Sequence, residues 1–175
     1  AGSWNDQARA EKESACVPCG AGRYGTALAA VSRDECRPCK LGKFSEALGA
    51  SHPTTCLRCP KGFSQPLDGF SFCLPCNPGT FAAPPGGQSS CAFCPAGFYA
   101  ELAAQEVCIA CPGGYRTDTQ ASECLTCKAG KFGVGCTSVC PPGSQREGND
   151  KKVMTCTVCT KGFSQSASGQ ASCQP

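Results

Sequence analysis

Large hydrophobic residues recur along the chain at one fixed place in a short repeating pattern. A glycine lies three residues after the second cysteine of each cysteine pair, and in all but one repeat an aromatic residue follows that glycine by one or two positions. These turn glycines are Gly22, Gly42, Gly62, Gly79, Gly97, Gly114, Gly130, Gly143 and Gly162. A position that accepts only glycine normally has a positive φ or a close backbone contact, so each repeat is predicted to turn just after its cysteine.

The segments between the cysteine pairs predict short irregular hairpins. They consist mainly of glycine, serine, alanine and proline, which favour turns over long helices. Only the alternation at 102–105 is compatible with a single helical turn. The sequence KGFSQ occurs at 61–65 and again at 161–165, which supports tandem duplication of one unit.

Composition then removes the option of an ordinary hydrophobic core. The 175 residues include 19 cysteines, 21 glycines and 14 prolines, and alanine and cysteine raise the hydrophobic fraction to 41%. Cysteine at this level is typical of a disulfide scaffold in an oxidising compartment. We therefore predict a small disulfide-rich repeat protein, an elongated tandem array of short irregular β-hairpin modules that lies outside the cell or on its surface.

Charge and polar residues indicate neither nucleic-acid binding nor catalysis. The net charge is +3 with scattered basic residues, and the lone histidine, His52, lies in a Ser-His-Pro turn without a recognisable catalytic partner. The carboxylates are dispersed, and no apolar run is long enough to span a bilayer. We predict no enzyme activity, no cofactor and no membrane insertion of this segment, while the loop at 82–90 has a composition compatible with O-linked glycan.

The CxxC pairs also match the ligand spacing of zinc sites. A zinc knuckle uses backbone N–H groups around its turn, and proline, which has none, follows the second cysteine at Pro60, Pro95, Pro112 and Pro141. The recurring glycine and aromatic have no role in zinc binding. We therefore predict disulfides and no metal.

Two pairing schemes fit the cysteine spacing. In the first, the second cysteine of each pair bonds to the first cysteine of the next pair, which leaves Cys16 over. In the second, like positions of successive pairs are joined, as in Cys16 with Cys36 and Cys19 with Cys39, which leaves Cys159 without a partner. Spacing alone leaves both schemes open.

The unit CxxC-x-x-G-x-[Tyr/Phe] resembles the ephrin-receptor-like cysteine-rich repeat, a relative of EGF-like modules, over residues 16–175. It also resembles the first half-module of TNF-receptor repeats, in which such a loop is closed by its own disulfide. The resemblance therefore implies the first scheme, with Cys16 unpaired or intermolecular. The implied bonds are Cys19–Cys36, Cys39–Cys56, Cys59–Cys73, Cys76–Cys91, Cys94–Cys108, Cys111–Cys124, Cys127–Cys136, Cys140–Cys156 and Cys159–Cys173.

The expected organisation has four parts. A lead segment at 1–15 precedes tandem repeats at 16–127, an atypical module at 128–155 that resembles a laminin-type EGF module, and a further repeat at 156–175 that we expect to be truncated. Aromatics are spread one per module and charge is diluted, which favours a structural rod over a localised binding site. We expect a spacer or fibre-forming segment of a larger secreted or cell-surface protein, with copies of itself or other extracellular proteins as partners; the alternative is the ligand-binding ectodomain of a receptor.

Overall fold

The computed structural model describes residues 1–5, 16–113, 115–148 and 155–175. Within these residues the regular elements are two-residue strands and three short 3-10 helices, at Arg33–Glu35, Pro53–Thr55 and Val134–Cys136. No helix in this part of the chain is long and apolar enough to cross a lipid bilayer.

The strands of the described residues are numbered in chain order. They are β1 Ser3–Trp4, β2 Val17–Pro18, β3 Arg23–Tyr24, β4 Arg37–Pro38, β5 Lys43–Phe44, β6 Leu57–Arg58, β7 Phe63–Ser64, β8 Leu74–Pro75, β9 Thr80–Phe81, β10 Ala92–Phe93, β11 Phe98–Tyr99, β12 Ile109–Ala110, β13 Tyr115–Arg116, β14 Leu125–Thr126, β15 Lys131–Phe132, β16 Ser138–Val139, β17 Ser144–Gln145 and β18 Thr157–Val158.

Each hairpin joins the strand after a turn to the strand inside the next cysteine pair. In β5 and β6, for example, Lys43 lies opposite Arg58 and Phe44 opposite Leu57 in antiparallel register. The described residues contain nine such two-stranded sheets. These sheets confirm the predicted fold class of a disulfide-rich repeat of short hairpins with little regular secondary structure.

The single helical turn considered at 102–105 does not form. Ala104 has a φ of +61°, which lies in the left-handed region and is incompatible with a right-handed helix. Its N–H donates to the carbonyl oxygen of Cys76 at 2.8 Å. The contact with the preceding module therefore overrides the local helix propensity of leucine and alanine.

The described chain divides into two compact units. Unit 1 comprises Ala1–Asn77, Phe81–Ala92 and Ala103–Val107, and unit 2 comprises Pro78–Thr80, Phe93–Leu102 and Cys108–Pro175. Each unit is described by itself below.

Cysteine and small residues form the interior of each unit. The buried apolar residues of unit 1 include Cys19, Cys39, Cys59, Cys76, Ala30, Ala50 and Ala82, and those of unit 2 include Cys94, Cys111, Cys127, Cys140 and Ala100. The aromatics after the turns contribute less, since Phe98 is 40% and Phe163 49% exposed. Sulfur thus takes the place that large aliphatic side chains occupy in an ordinary core.

Candidate functional site

Nine disulfides join the second cysteine of each pair to the first cysteine of the next, and each bond closes one module. They are Cys19–Cys36, Cys39–Cys56, Cys59–Cys73, Cys76–Cys91, Cys94–Cys108, Cys111–Cys124, Cys127–Cys136, Cys140–Cys156 and Cys159–Cys173. Cys16 is unpaired and exposed. The atypical stretch from Cys127 to Cys156 has the same ladder pattern as the rest, although its first loop is short.

Neighbouring modules are joined mainly through backbone groups. Where the Cys39–Cys56 module meets the Cys59–Cys73 module, four backbone bonds form: Gly42 N–H to Gln65 C=O at 2.9 Å, Cys59 N–H to Gly42 C=O at 2.9 Å, Ser45 N–H to Phe70 C=O at 3.4 Å and Gly69 N–H to Cys39 C=O at 2.8 Å. The same four bonds recur between the modules closed by Cys140–Cys156 and Cys159–Cys173. At roughly 0.5–1.5 kcal/mol each, four such bonds stabilise one junction by a few kcal/mol.

The turn glycines are required for two reasons at once. The described ones have φ values between +72° and +91°, which side chains disfavour. In addition, a Cβ atom on Gly22 would lie 2.1 Å from the Gly69 carbonyl oxygen, and one on Gly42 would lie 2.1 Å from that of Gly87. Those carbonyls belong to the module two positions further along the chain. A side chain at such a turn would therefore separate modules that are not adjacent in sequence.

The carbonyl groups that face these turn glycines belong to a second position with left-handed backbone. The sequence analysis missed this position. It falls seven residues after the turn in most modules. Its N–H donates to a cysteine carbonyl of the preceding module at Gly49, Gly69, Gly87, Ala104, Gln120 and Gly169. The residues with positive φ at this position are Ala29, Gly49, Gly69, Gly87, Ala104, Gln120 and Gly169. The recurrence of glycine at Gly49, Gly69, Gly87 and Gly169 was a usable signal, but alanine and glutamine at the three remaining positions hid it.

Three of the described turn glycines make no contact with the module two positions further along the chain. At Gly97, Gly143 and Gly162 no described atom lies within 4 Å of the Cβ position. At Gly97 the N–H donates to the Thr117 hydroxyl oxygen at 2.8 Å instead of to a backbone carbonyl. The predicted turn at Gly114 lies outside the described residues.

The repeated KGFSQ motif places a glutamine that closes its own loop. Gln65 is 1% exposed, donates through Nε2 to the Phe72 carbonyl at 2.6 Å, and accepts at Oε1 from the Leu67 N–H at 3.1 Å. Gln165 makes the equivalent bonds to Ser172 and Ala167 in a more exposed setting. The two copies of the motif thus share the glutamine hydrogen bonds that close the loop as well as the sequence.

Residues 2–4 also belong to the repeat. Gly2 has a φ of +83°, its N–H donates to the Gly25 carbonyl at 2.7 Å, and its carbonyl accepts from Cys19 N–H at 2.8 Å. Ser3 and Trp4 form β1, which pairs with β2. Gly-Ser-Trp therefore reproduces the glycine and the aromatic residue of a module. The sequence analysis had placed these residues in the lead segment. Residues 6–15 of that segment lie outside the described residues.

The other candidate chemistry has structural explanations. His52 is exposed and caps the 3-10 helix Pro53–Thr55, because its Nδ1 accepts from the Thr54 N–H at 3.4 Å. Among the described residues no group of three or more histidine, cysteine or acidic side chains is arranged to hold a metal ion.

Two open depressions lie at equivalent places in the repeat but carry opposite charge. In unit 1 the depression is lined by the aromatic Trp4 together with Arg23 and Arg33. In unit 2 the corresponding lining includes Tyr99, Glu101, Pro112, Tyr115, Ser122, Glu123 and Cys124. Charge therefore varies between modules while the backbone lattice is retained.

Residues 79–124 match the model of a family described as tyrosine-protein kinase ephrin type A/B receptor-like. Together with the ladder of nine disulfides, this match confirms the resemblance to the ephrin-receptor-like cysteine-rich repeat. Cysteine-rich repeats of this kind are typical of extracellular domains and are typically not enzymes. Among the curated proteins, none matches the chain.

Proposed function

We propose that this chain is an extracellular structural module, a spacer or fibre-forming segment of a larger secreted or cell-surface protein. The observation that supports it is the set of hydrogen bonds between neighbouring modules. In these bonds the turn glycine, and the cysteine that precedes it by three residues, bond to the backbone of the next module. The recurring glycine and cysteine of the motif are thus used for joining modules. A repeat whose recurring positions serve only its own stacking is suited to holding other parts of a protein at a defined separation.

The experiment compares native protein by electron microscopy and by non-reducing electrophoresis. For a fibre-forming segment we expect filaments or disulfide-linked oligomers that dissociate on reduction, with Cys16 protected from alkylation. Single copies with a freely alkylatable Cys16 would contradict the fibre-forming role. In that case the spacer role is tested by replacing the Cys59–Cys73 module with an unrelated module of similar length. A spacer is expected to keep its function after this replacement, because only its length matters.

The acidic depression in unit 2 favours one second candidate, ligand binding by a receptor ectodomain. Glu101 and Glu123 make no ion pair with any side chain that the structure describes, and two tyrosine rings lie in the same lining. Carboxylates beside aromatic faces suit a lysine or arginine side chain of a protein ligand.

The Glu101→Gln/Glu123→Gln variant separates the two candidates. Receptor function predicts saturable binding of a lysine-rich peptide that falls at least tenfold in the variant, with a glutamate-rich peptide as control. Spacer function predicts only weak, salt-sensitive binding that does not saturate, for both proteins.

A further inference from the structure

The nine disulfides create a short covalent path that runs past every loop of the chain. From Cys36 the backbone continues through two residues to Cys39, whose disulfide leads directly to Cys56. Two further residues lead to Cys59 and its disulfide, and the alternation continues to Cys173. Every loop that one of the nine disulfides closes is a side branch of this path.

We propose that the chain is a tension-bearing tether whose maximum length is set by its disulfides. This inference rests on the proposed structural function and adds a mechanical one to it. When the two ends are pulled apart, force passes along the cysteine pairs and the sulfur–sulfur bonds. The loops carry no load, because each is closed at its base by a covalent bond.

The expected limit follows from the disulfide pattern. The bonds bypass about 130 of the roughly 150 residue steps between Cys19 and Cys173, and an extended chain spans ~3.5 Å per step. Each bypassed loop is replaced by a Cα–Cα distance of 5.4–5.8 Å. The oxidised path therefore reaches about 140 Å, whereas the reduced chain between the same cysteines reaches about 540 Å, close to a fourfold difference.

The non-covalent lattice determines when this path is exposed. The backbone bonds between modules break under load first, because each contributes little by itself. Until then most of the bonds have at least one protected cysteine, since Cys94, Cys127 and Cys140 are fully buried, whereas Cys159 and Cys173 are both half-buried. The tether is thus stiff while the lattice is intact, and after the lattice breaks it extends only to the covalent limit.

Single-molecule force spectroscopy of the full chain tests the proposal, with handles at both ends and Cys16→Ser in every molecule so that no free thiol rearranges the bonds. Under oxidising conditions we expect extension to stop once the lattice has opened. Dithiothreitol is then added at constant force. One thiolate of the reagent attacks a protein sulfur and displaces the other protein sulfur, which takes up a proton. The second thiol of the reagent loses its proton, attacks the mixed disulfide and leaves as part of a cyclic disulfide. The reagent is thus oxidised by two electrons and the protein disulfide is reduced to two thiols.

Reduction is expected to lengthen the chain in nine steps of unequal size. The Cys127–Cys136 bond spans 9 residues and releases about 25 Å, while bonds that span 17 residues, such as Cys19–Cys36, release about 55 Å. In the Cys127→Ser/Cys136→Ser variant the smallest step disappears and the oxidised limit grows by the same amount. The full extended length is measured on a reduced and alkylated chain, and this measurement does not require a variant to fold.

Handles at the two ends also enclose about 20 residue steps outside Cys19 and Cys173, which add about 70 Å to the oxidised limit. An oxidised chain that extends well past about 210 Å between the handles, or a reduction that lengthens it in fewer than nine steps, would overturn the tether. Pairing between like positions leaves some loops in the load path and predicts that longer oxidised limit. These lengths do not depend on whether the chain also binds a ligand. Specific peptide binding would therefore overturn the proposed structural function and leave the measured lengths unchanged.

Discussion

Unit 1 and unit 2 are built from the same module but differ in regularity. In unit 1 the turn glycines Gly2, Gly22, Gly42 and Gly62 all face a carbonyl oxygen that would lie 2.1 Å from an added Cβ. In unit 2, Gly79 and Gly130 have such a contact, at 2.4 and 1.9 Å, and Gly97 does not. The same glycine is thus required by packing in one place and only by backbone conformation in another.

Loop length explains the difference at Gly97. The module two positions further along is closed by Cys127–Cys136, which spans 9 residues, whereas the other disulfides span 13 to 17. In that loop Gly135 and Cys136 have positive φ, but the Cys136 N–H donates to the Gly133 carbonyl of its own loop. The loop therefore does not form the bond to a cysteine carbonyl of the preceding module that Ala104 and Gln120 form elsewhere. One short loop therefore alters the packing of a module with which it shares no disulfide.

The largest expected difference is between two alanine substitutions, one at a turn glycine that faces a carbonyl oxygen and one at a turn glycine that does not. Gly62→Ala places a methyl group 2.1 Å from the Ala104 carbonyl oxygen, and Gly97→Ala meets no described atom within 4 Å. Both substitutions incur the left-handed backbone cost of about 1–2 kcal/mol, and only the first adds a backbone collision. Amide exchange at Cys76 and Cys111, which bond to these two glycines, is expected to accelerate far more in Gly62→Ala. Equal acceleration would remove the distinction between the units.

Removal of a disulfide is expected to have the next largest effect and to remain local. Cys59→Ser/Cys73→Ser opens a loop that spans 14 residues and loses roughly 3 kcal/mol of loop-closure stabilisation. Modules bond mainly to their neighbours, so hydrogen exchange should rise in that module and those beside it while Cys159–Cys173 keeps its protection. Cys127→Ser/Cys136→Ser is the matched variant in unit 2, with a slightly smaller loss. Exchange that rises throughout the chain would contradict this modular behaviour.

The duplicated glutamine permits a third comparison. Gln65→Ala removes a side chain that is 1% exposed and makes two bonds within its loop, so a loss of about 1–3 kcal/mol is expected. Gln165→Ala removes equivalent bonds in a more exposed loop of unit 2 and should cost less, because water replaces them. Thermal unfolding with disulfides intact measures both. A larger loss for Gln165→Ala would show that burial does not determine the effect.

The smallest expected effect concerns the surface ion pairs of unit 1. Lys61 and Glu106 lie 2.7 Å apart with side chains 54% and 44% exposed. Lys61→Met should change the free energy of unfolding by less than about 0.5 kcal/mol, and added salt should reduce the difference further. Lys43→Met serves as the control, since Lys43 makes no ion pair with a described residue. A loss comparable to that of Gln65→Ala would mean that the pair links the modules.

Features that depend on one module were predictable from the sequence. The turns at Gly22 and its equivalents, the short hairpins and the absence of a conventional core follow from residues close together in the chain. The helical turn considered at 102–105 was wrong, because the φ of Ala104 is imposed by a contact with Cys76 in an earlier module. The repeat identity of Gly2 and Trp4 was missed, because no cysteine pair precedes them in the sequence.

The sequence by itself determined the repeat, its turning points and the set of cysteines available for bonding. These are local properties, since the positive φ at a turn glycine belongs to the turn itself and the partner of a cysteine lies within about one loop length. Only the tertiary structure decided that Ala29, Ala104 and Gln120 adopt left-handed backbone, and that Gly62 is packed where Gly97 is open. Those outcomes depend on the lengths of loops one or two modules away, so no motif within a single module specifies them.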